Sequence, residues 1–219
     1  MAMIGEQDRQ AIKDLFDKGF VNDVKLVLFT QEFECQYCKE THALVEELAE
    51  ISDRVSAEVY NFATDKEQVE AYGIDKIPAI AVIGEKDYGV RLYGIPSGYE
   101  FTGFIETIIA VSKGESDLSD ETKKALAGLT EPVHFQVFVT PTCPYCPQAV
   151  HLAHRMAIES DLVTADGVEV IEFPHLGTKY GVQGVPRSVI NETVHIEGAA
   201  PEGMLLEKLQ LALVGAPAE

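Results

Sequence analysis

Apolar and polar positions alternate along this chain in a pattern that runs through the same cycle twice. A leading helix is expected over Gln7–Phe16. The apolar run Lys25–Thr30 then reads as a buried strand. Leu44, Val45, Leu48 and Ile51 recur at helical spacing and predict a helix. A strand-like run, Val55–Phe62, leads to a turn with proline, a strand at Ala79–Ile83, a hairpin turn at Gly84–Asp87 and a closing helix near Phe101–Val111. The second cycle opens with a helix at Asp120–Leu129 and a strand at Phe135–Thr140. Val150, Ala153, Ala157 and Ile158 mark the next helix, and Val168–Phe173 the strand after it. A proline turn, Arg187–Ile190, a turn at Asn191–Glu192 and a helix near Pro201–Val214 complete it. Each cycle reads strand, helix, strand, proline turn, strand, strand, helix. The first three elements form a βαβ unit with its right-handed crossover. The class is therefore α/β, with two tandem units, each a mixed central sheet flanked by helices.

A common offset ties the cycles together. Cys35 and Cys143 lie 108 residues apart, as do Tyr72 and Tyr180, and Pro78 and Pro186. Tyr72-Gly73-Ile74-Asp75-Lys76-Ile77-Pro78 matches Tyr180-Gly181-Val182-Gln183-Gly184-Val185-Pro186. A cysteine pair and a Tyr-Gly-(Ile/Val)-x-x-(Ile/Val)-Pro motif at one offset mark an internal repeat. Matching the strands after the helices requires a local shift of three residues, which brings Glu58 opposite Glu169. The polar stretch Ser112–Asp117 is the expected linker, dividing the chain into units 1–116 and 117–219.

Composition narrows the partners. The 219 residues are 46% hydrophobic and 24% charged, values of a globular protein. A net charge of −19 repels nucleic acid phosphates and anionic lipid, so neither is an expected partner. No apolar run approaches the roughly 20 residues of a membrane span. Met1–Glu6 lacks a basic region and an apolar region, so no signal peptide is expected and the location is expected to be cytoplasmic. The four cysteines form two close pairs, Cys35 with Cys38 and Cys143 with Cys146, which points to redox or metal chemistry.

Cys35-Gln36-Tyr37-Cys38 and Cys143-Pro144-Tyr145-Cys146 each follow a strand and open a helix. Residues three apart on a first helical turn face one side, at about the 5.5–6 Å between Cα atoms that a disulfide needs. The unpaired N–H groups and positive dipole end of the helix favour a thiolate on the first cysteine. Cys35 or Cys143 is then the nucleophile, and Cys38 or Cys146 resolves the mixed disulfide. Pro144 suits the first turn, where its missing N–H is no loss. Four cysteines in two such pairs also match a Cys₄ zinc site; that site would require the two active edges to face each other. Pro78 and Pro186 stand at turn-to-strand junctions and are candidates for cis bonds. The residues before them, Ile77 and Val185, can offer backbone groups to an extended substrate; an edge-strand proline without a substrate role is the plainer alternative. Glu58 and Glu169 are candidate proton acceptors for the resolving cysteines, or solvent-facing strand residues. His151 and His154 are expected to pack or face solvent. Tyr37 and Tyr145 are expected at the surface beside the sulfurs.

Cys143-Pro144-Tyr145-Cys146 resembles a glutaredoxin centre. Nearly the whole chain resembles the protein disulfide oxidoreductases, glutaredoxin-like proteins with a double thioredoxin fold known from thermophilic archaea and bacteria. Val137–Pro147 and Gly94–Phe101 carry the resemblance, supported by Glu172-Phe173-Pro174 leading to Tyr180-Gly181-Val182. It implies two tandem thioredoxin-like units that reduce, form or isomerise protein disulfides. No cofactor is implied as bound; electrons come from NADPH through a thioredoxin reductase, and the C-terminal centre is often the more active. Two alternatives stand beside it. The electron-shuttle module of an alkyl hydroperoxide reductase system also fuses two such units but typically loses one cysteine pair. A binding or chaperone protein would be expected to show a broken pair or a lost proline. Both pairs and both prolines are intact here.

Overall fold

Two largely buried runs, Val24–Thr30 (β1) and Val133–Val139 (β5), organise the computed structural model, which describes residues 3–214. Helix α1 (Glu6–Gly19) precedes β1. Then come α2 (Cys38–Ile51), β2 (Val55–Asn61), α3 (Lys66–Ala71), β3 (Ala79–Ile83), β4 (Asp87–Tyr93) and α4 (Tyr99–Lys113). The second unit repeats the order with α5 (Asp120–Ala127), β5, α6 (Cys146–Glu159), β6 (Val163–Glu169), α7 (Pro174–Lys179), β7 (Arg187–Ile190), β8 (Val194–Glu197) and α8 (Glu202–Leu213).

The two units share one sheet. Its strand order is β2-β1-β3-β4-β6-β5-β7-β8, and the parallel pairing of β4 with β6 joins the halves. Successive residues of β1 alternate between two cores, as a pleated strand requires. Leu26 and Leu28 enter the core under α2, α4 and α6, and Val27 and Phe29 the one under α3 and α7. Helix α4 belongs to the first unit but packs on α6 of the second. Thr107 Oγ1 meets His154 Nδ1 at 3.0 Å, and both residues are buried. Gly103 lies against Pro147, leaving an added Cβ only 3.0 Å from the proline ring.

Three expectations change. The second unit's strand after the active-site helix is Val163–Glu169, not Val168–Phe173. In register, Val27 faces Glu58 and Gln136 faces Asp166, while Thr30 faces Asn61 and Val139 faces Glu169. Phe29 and Phe138 occupy the same place, each opposite the residue after its proline. Glu58 therefore corresponds to Asp166, and Glu169 to Asn61; the offset of 108 continues through the strand without a shift. Asp166-Gly167 has the composition of a turn, which hid the strand. Here Asp166 is buried and paired with His134 Nε2 at 2.7 Å, and Gly167 makes room for Val150, whose Cγ1 stands 3.2 Å from where a Cβ would be. The linker expected at Ser112–Asp117 is instead a fixed part of the fold. Ser112 is helical and buried, and its hydroxyl accepts hydrogen bonds from the Val21 and Asn22 N–H groups. Gly114, left-handed at φ +66°, ends α4. The short helices α3 and α7 were not expected, because six residues with no buried side chain carry no readable period.

Candidate active site: two dithiol centres on one sheet edge

Both cysteine pairs sit where a central strand gives way to a helix. Strand β1 runs antiparallel to β3, β3 antiparallel to β4, and β4 parallel to β6, which is parallel to β5. Strands β1 and β5 therefore point the same way, and both centres open at the same edge of the sheet. Cys35 is bonded to Cys38 and Cys143 to Cys146, with 5.5 Å between Cα atoms in each pair, inside the range a disulfide spans. Cys38 and Cys146 begin α2 and α6 and are buried. Cys35 is half-buried, and Cys143 is covered to 7% exposure. In each pair the first cysteine is the more accessible, as attack on an outside disulfide requires.

Each proline loop leads into the strand that pairs with the one running toward a cysteine pair. Ile77–Pro78 and Val185–Pro186 are both cis. The carbonyls of Pro78 and Pro186 accept from the Gly94 and Gly198 N–H groups at 2.9 and 2.8 Å, tying each proline to the hairpin behind it. Ile77 and Val185 are half-buried and make no hydrogen bond through their backbones among the described residues.

The two candidate glutamates separate. Glu58 bonds Lys25 Nζ at 3.1 Å and the Tyr60 hydroxyl at 3.1 Å. Lys25 shares the strand face of Val27 and Phe29, so Glu58 lies on the α3 side of the sheet, opposite α2 and Cys38. It is not placed to take a proton from Cys38. Glu169 is buried on the other face, next to Val139, and accepts from the Glu172 and Ile171 N–H groups at 2.8 and 3.3 Å. Burial holds its pKa above the ordinary carboxylate value despite those donors. A third carboxyl carried no expected role. Glu100, in the first turn of α4, is 5% exposed, and its Oε1 has no hydrogen-bond partner. Burial pushes its pKa up to about 8. Together with Val139, Gly167 and Glu169 it lines a small void between β4, β6 and α4. Glu172 closes the group from outside. Its Oε1 accepts from the Ile95 N–H at 2.7 Å, and burial foremost raises its pKa to about 7. The hint in the sequence was Glu100's place within Gly94–Phe101, one of the stretches carrying the family resemblance.

The second centre is braced by the first unit. The Tyr99 N–H donates to the Pro141 carbonyl at 3.0 Å, two residues before Cys143, and Gly98 approaches the same carbonyl. Among the described residues the corresponding loop of the first centre has no such support. Gln31 Nε2 donates to the Phe33 carbonyl at 2.5 Å, within the loop itself. Tyr145 is 67% exposed, as expected, whereas Tyr37 is half-buried. His154 packs, and burial holds its pKa down at about 3. The four cysteines do not converge. Four strand spacings separate β1 from β5, roughly 19 Å, against about 2.3 Å for a zinc–sulfur bond. Among the described residues no group of three or more His, Cys, Asp or Glu side chains is arranged to hold a metal, and no helix is long and apolar enough to cross a membrane.

Known proteins share this arrangement. A protein disulfide oxidoreductase from Aeropyrum pernix superposes with a TM-score of 0.91 at 30% identity, over 98% of this chain and 96% of that one. The N-terminal domain of an alkylhydroperoxide reductase from Enterococcus faecalis shares the fold, with a TM-score of 0.86 at 24% identity, over 94% and 99% of the two chains. A thioredoxin from Methanocaldococcus jannaschii is 34% identical over 82 residues, 37% of this chain and 96% of its own length. An NADH dehydrogenase from Bacillus subtilis is 27% identical over 176 residues, and the chain spans only 31% of its length. The family described as "Thioredoxin domain" matches residues 23–106 and 133–210, most of the chain in two copies. The chain belongs to the thioredoxin domain family.

Proposed function

We propose that this chain is a protein thiol–disulfide oxidoreductase working through two centres, one in each of the units 1–116 and 117–219. The observation that carries the reading is the twofold occurrence of one geometry: a cysteine pair 5.5 Å apart at a helix mouth, beside a proline loop whose preceding residue has an unpaired backbone. In the reduced protein, Cys35 or Cys143 attacks a substrate sulfur as thiolate. One substrate thiolate leaves, and a mixed disulfide remains. Cys38 or Cys146 then attacks the first cysteine, releases the second substrate thiol and restores the disulfide. Ile77–Pro78 and Val185–Pro186 hold the substrate as an added strand. The reverse sequence oxidises a dithiol, and the two in succession isomerise a disulfide.

Glu100 is the proton acceptor we assign to the second centre, with Glu169 beside it. Its helix turn packs on the segment from Pro141 to Pro147 that contains both cysteines. A carboxyl titrating near 8 is well matched to a thiol of ordinary pKa about 8.5. Resupply of electrons from NADPH through a thioredoxin reductase, and work in the cytoplasm, complete the proposal. The test is insulin disulfide reduction with thioredoxin reductase and NADPH. Cys143→Ser/Cys146→Ser is expected to lose most of the activity and Cys35→Ser/Cys38→Ser a smaller part. Full activity with both pairs removed would overturn the mechanism, and an unaffected Cys143→Ser/Cys146→Ser variant would reverse the ranking of the centres.

A further inference from the structure

The two centres share a fold and differ in what surrounds them. Ahead of Cys35 runs Gln31-Glu32-Phe33-Glu34, in which Glu32, Phe33 and Glu34 are all exposed, Phe33 to 78%. Glu34 is left-handed at φ +56°, directly before the nucleophile. Lys39 and Glu40 follow on the first turn of α2. Across the centre, in the loop before Pro78, Asp75 is exposed. Lys76 is bonded to Asp75 at 2.5 Å and lies over the Tyr93 ring, 3.7 Å from its centroid, so its charge is taken up within the loop. The second centre has none of this. Residues 140–150 and 180–186, its two loops, contain no charged side chain. The acids grouped where the first unit braces it, Glu100, Glu169 and Glu172, are buried or turned inward onto backbone N–H groups. Its exposed aromatic, Tyr145, has Pro144 and Cys146 as neighbours where Phe33 has two glutamates.

From this contrast we infer that the N-terminal centre selects disulfides carried on basic segments. Glu32 and Glu34 determine that specificity, Phe33 gives an apolar contact, and the C-terminal centre is indifferent to substrate charge. The inference rests on the thiol–disulfide reading above. What approaches Cys35 must bring a sulfur to within bonding distance. The residues flanking that sulfur then lie within a Debye length, about 10 Å at 0.1 M salt, of both glutamates. Attraction at that range acts mainly on the association rate and weakens as salt is added. The net charge of −19 draws cations toward both centres. The informative quantity is therefore the ratio of preferences between the centres, not either rate alone. The chemistry is the same two-electron exchange at each. The dithiol is oxidised to its disulfide, and the partner's S–S bond breaks to two thiols, which take up the two protons released.

The experiment uses the full chain as Cys143→Ser/Cys146→Ser, which leaves the N-terminal centre, and as Cys35→Ser/Cys38→Ser, which leaves the C-terminal one. Each is reduced with dithiothreitol and freed of it. Each is then mixed with excess peptide holding one internal disulfide and a quenched fluorophore pair that separates on reduction. Three peptides differ only in two residues flanking the disulfide: lysines, glutamates or glutamines. With rates normalised to the glutamine peptide, the N-terminal centre is expected to favour lysine over glutamate roughly tenfold more than the C-terminal centre does at low salt. The excess is expected to vanish near 0.5 M salt. Glu32→Gln/Glu34→Gln in the N-terminal-only background is expected to bring its ratio down to that of the other centre. Equal ratios for the two centres, or a ratio unmoved by Glu32→Gln/Glu34→Gln, overturns the proposal. An N-terminal centre that reduces no peptide while the C-terminal centre reduces all three also overturns it, and leaves the thiol–disulfide reading standing. Reduction of no peptide by either centre overturns both.

Discussion

Replacing Gly98 by alanine would put a methyl group where the structure holds the Pro141 carbonyl. An ideal Cβ at Gly98 stands 2.2 Å from Pro141 O and 2.9 Å from its carbonyl carbon. Backbone atoms cannot swing aside as a side chain can, so the start of α4 and the loop leading to Cys143 must move apart. The Tyr99 N–H to Pro141 hydrogen bond, 3.0 Å long, is then lost, at about 0.5–1.5 kcal/mol. Gly98 also sits at φ +61°, ψ −129°, a region open essentially to glycine alone, where an L side chain costs on the order of 1–3 kcal/mol. Together these give a destabilisation of roughly 1.5–4.5 kcal/mol. Gly73→Ala is the control. It shares the positive φ, at +64°, but among the described residues no atom lies within 4 Å of its Cβ, so only a conformational cost applies. Urea unfolding followed by far-UV circular dichroism reports the stabilities, and the slope m must be unchanged for the comparison to hold. Insulin reduction in the two single-centre backgrounds reports the consequence for chemistry. Gly98→Ala is expected to slow the C-terminal centre several-fold and leave the N-terminal centre within twofold. A Gly98→Ala protein no less stable than Gly73→Ala, with an unchanged C-terminal centre, would refute the claim that the first unit braces the second centre.

Two further outcomes follow from buried titrating groups. Glu100 has a folded-state pKa raised to about 8, so the stability it contributes is full below its unfolded value near 4.5 and is lost as pH rises through 8. Glu100→Gln should therefore flatten the stability profile across that window, removing a loss on the order of 5 kcal/mol between pH 4.5 and 8. The same variant should lose the inflection near pH 8 in C-terminal-centre turnover; an unchanged turnover profile would remove Glu100 as proton acceptor. His154 is the opposite case. Burial depresses its folded pKa to about 3, so its contribution is full above the unfolded value near 6.5 and is lost as pH falls toward 3. His154→Gln should reduce the slope of acid unfolding between pH 6.5 and 3, and an identical acid transition would contradict the assignment.

The parts legible in the sequence were those in which one residue type answers one local demand. A cysteine pair at the start of a helix, a proline before a strand and an apolar run of strand length each carry their own signal, and the common offset of 108 doubled it. The strand at Val163–Glu169 escaped because its Asp166-Gly167 step has turn chemistry, and only His134 and Val150, distant in sequence, make a strand tolerable there. Glu58 and Glu169 looked equivalent because placing the second strand at Val168–Phe173 called for a shift of three residues, and the register puts the two glutamates on opposite faces. Glu100 was marked only by its place in the stretch Gly94–Phe101, which gave it no role. It sits 43 residues before Cys143, in the other unit, and nothing local distinguishes it from a solvent-facing glutamate in the first turn of a helix. The parallel pairing of β4 with β6, which brings it to the second centre, is a tertiary fact with no motif of its own.

That pairing has a further consequence. By merging two sheets into one, it holds the strands that lead to the two pairs about four strand spacings apart, roughly 19 Å, with both pairs on a common edge. Thiol–disulfide exchange proceeds only at sulfur–sulfur contact, so the rigid sheet forbids any direct handover between the pairs. Exchange of electrons between the pairs of one chain must therefore pass through another molecule. In that sense the join acts as an insulator as much as a support.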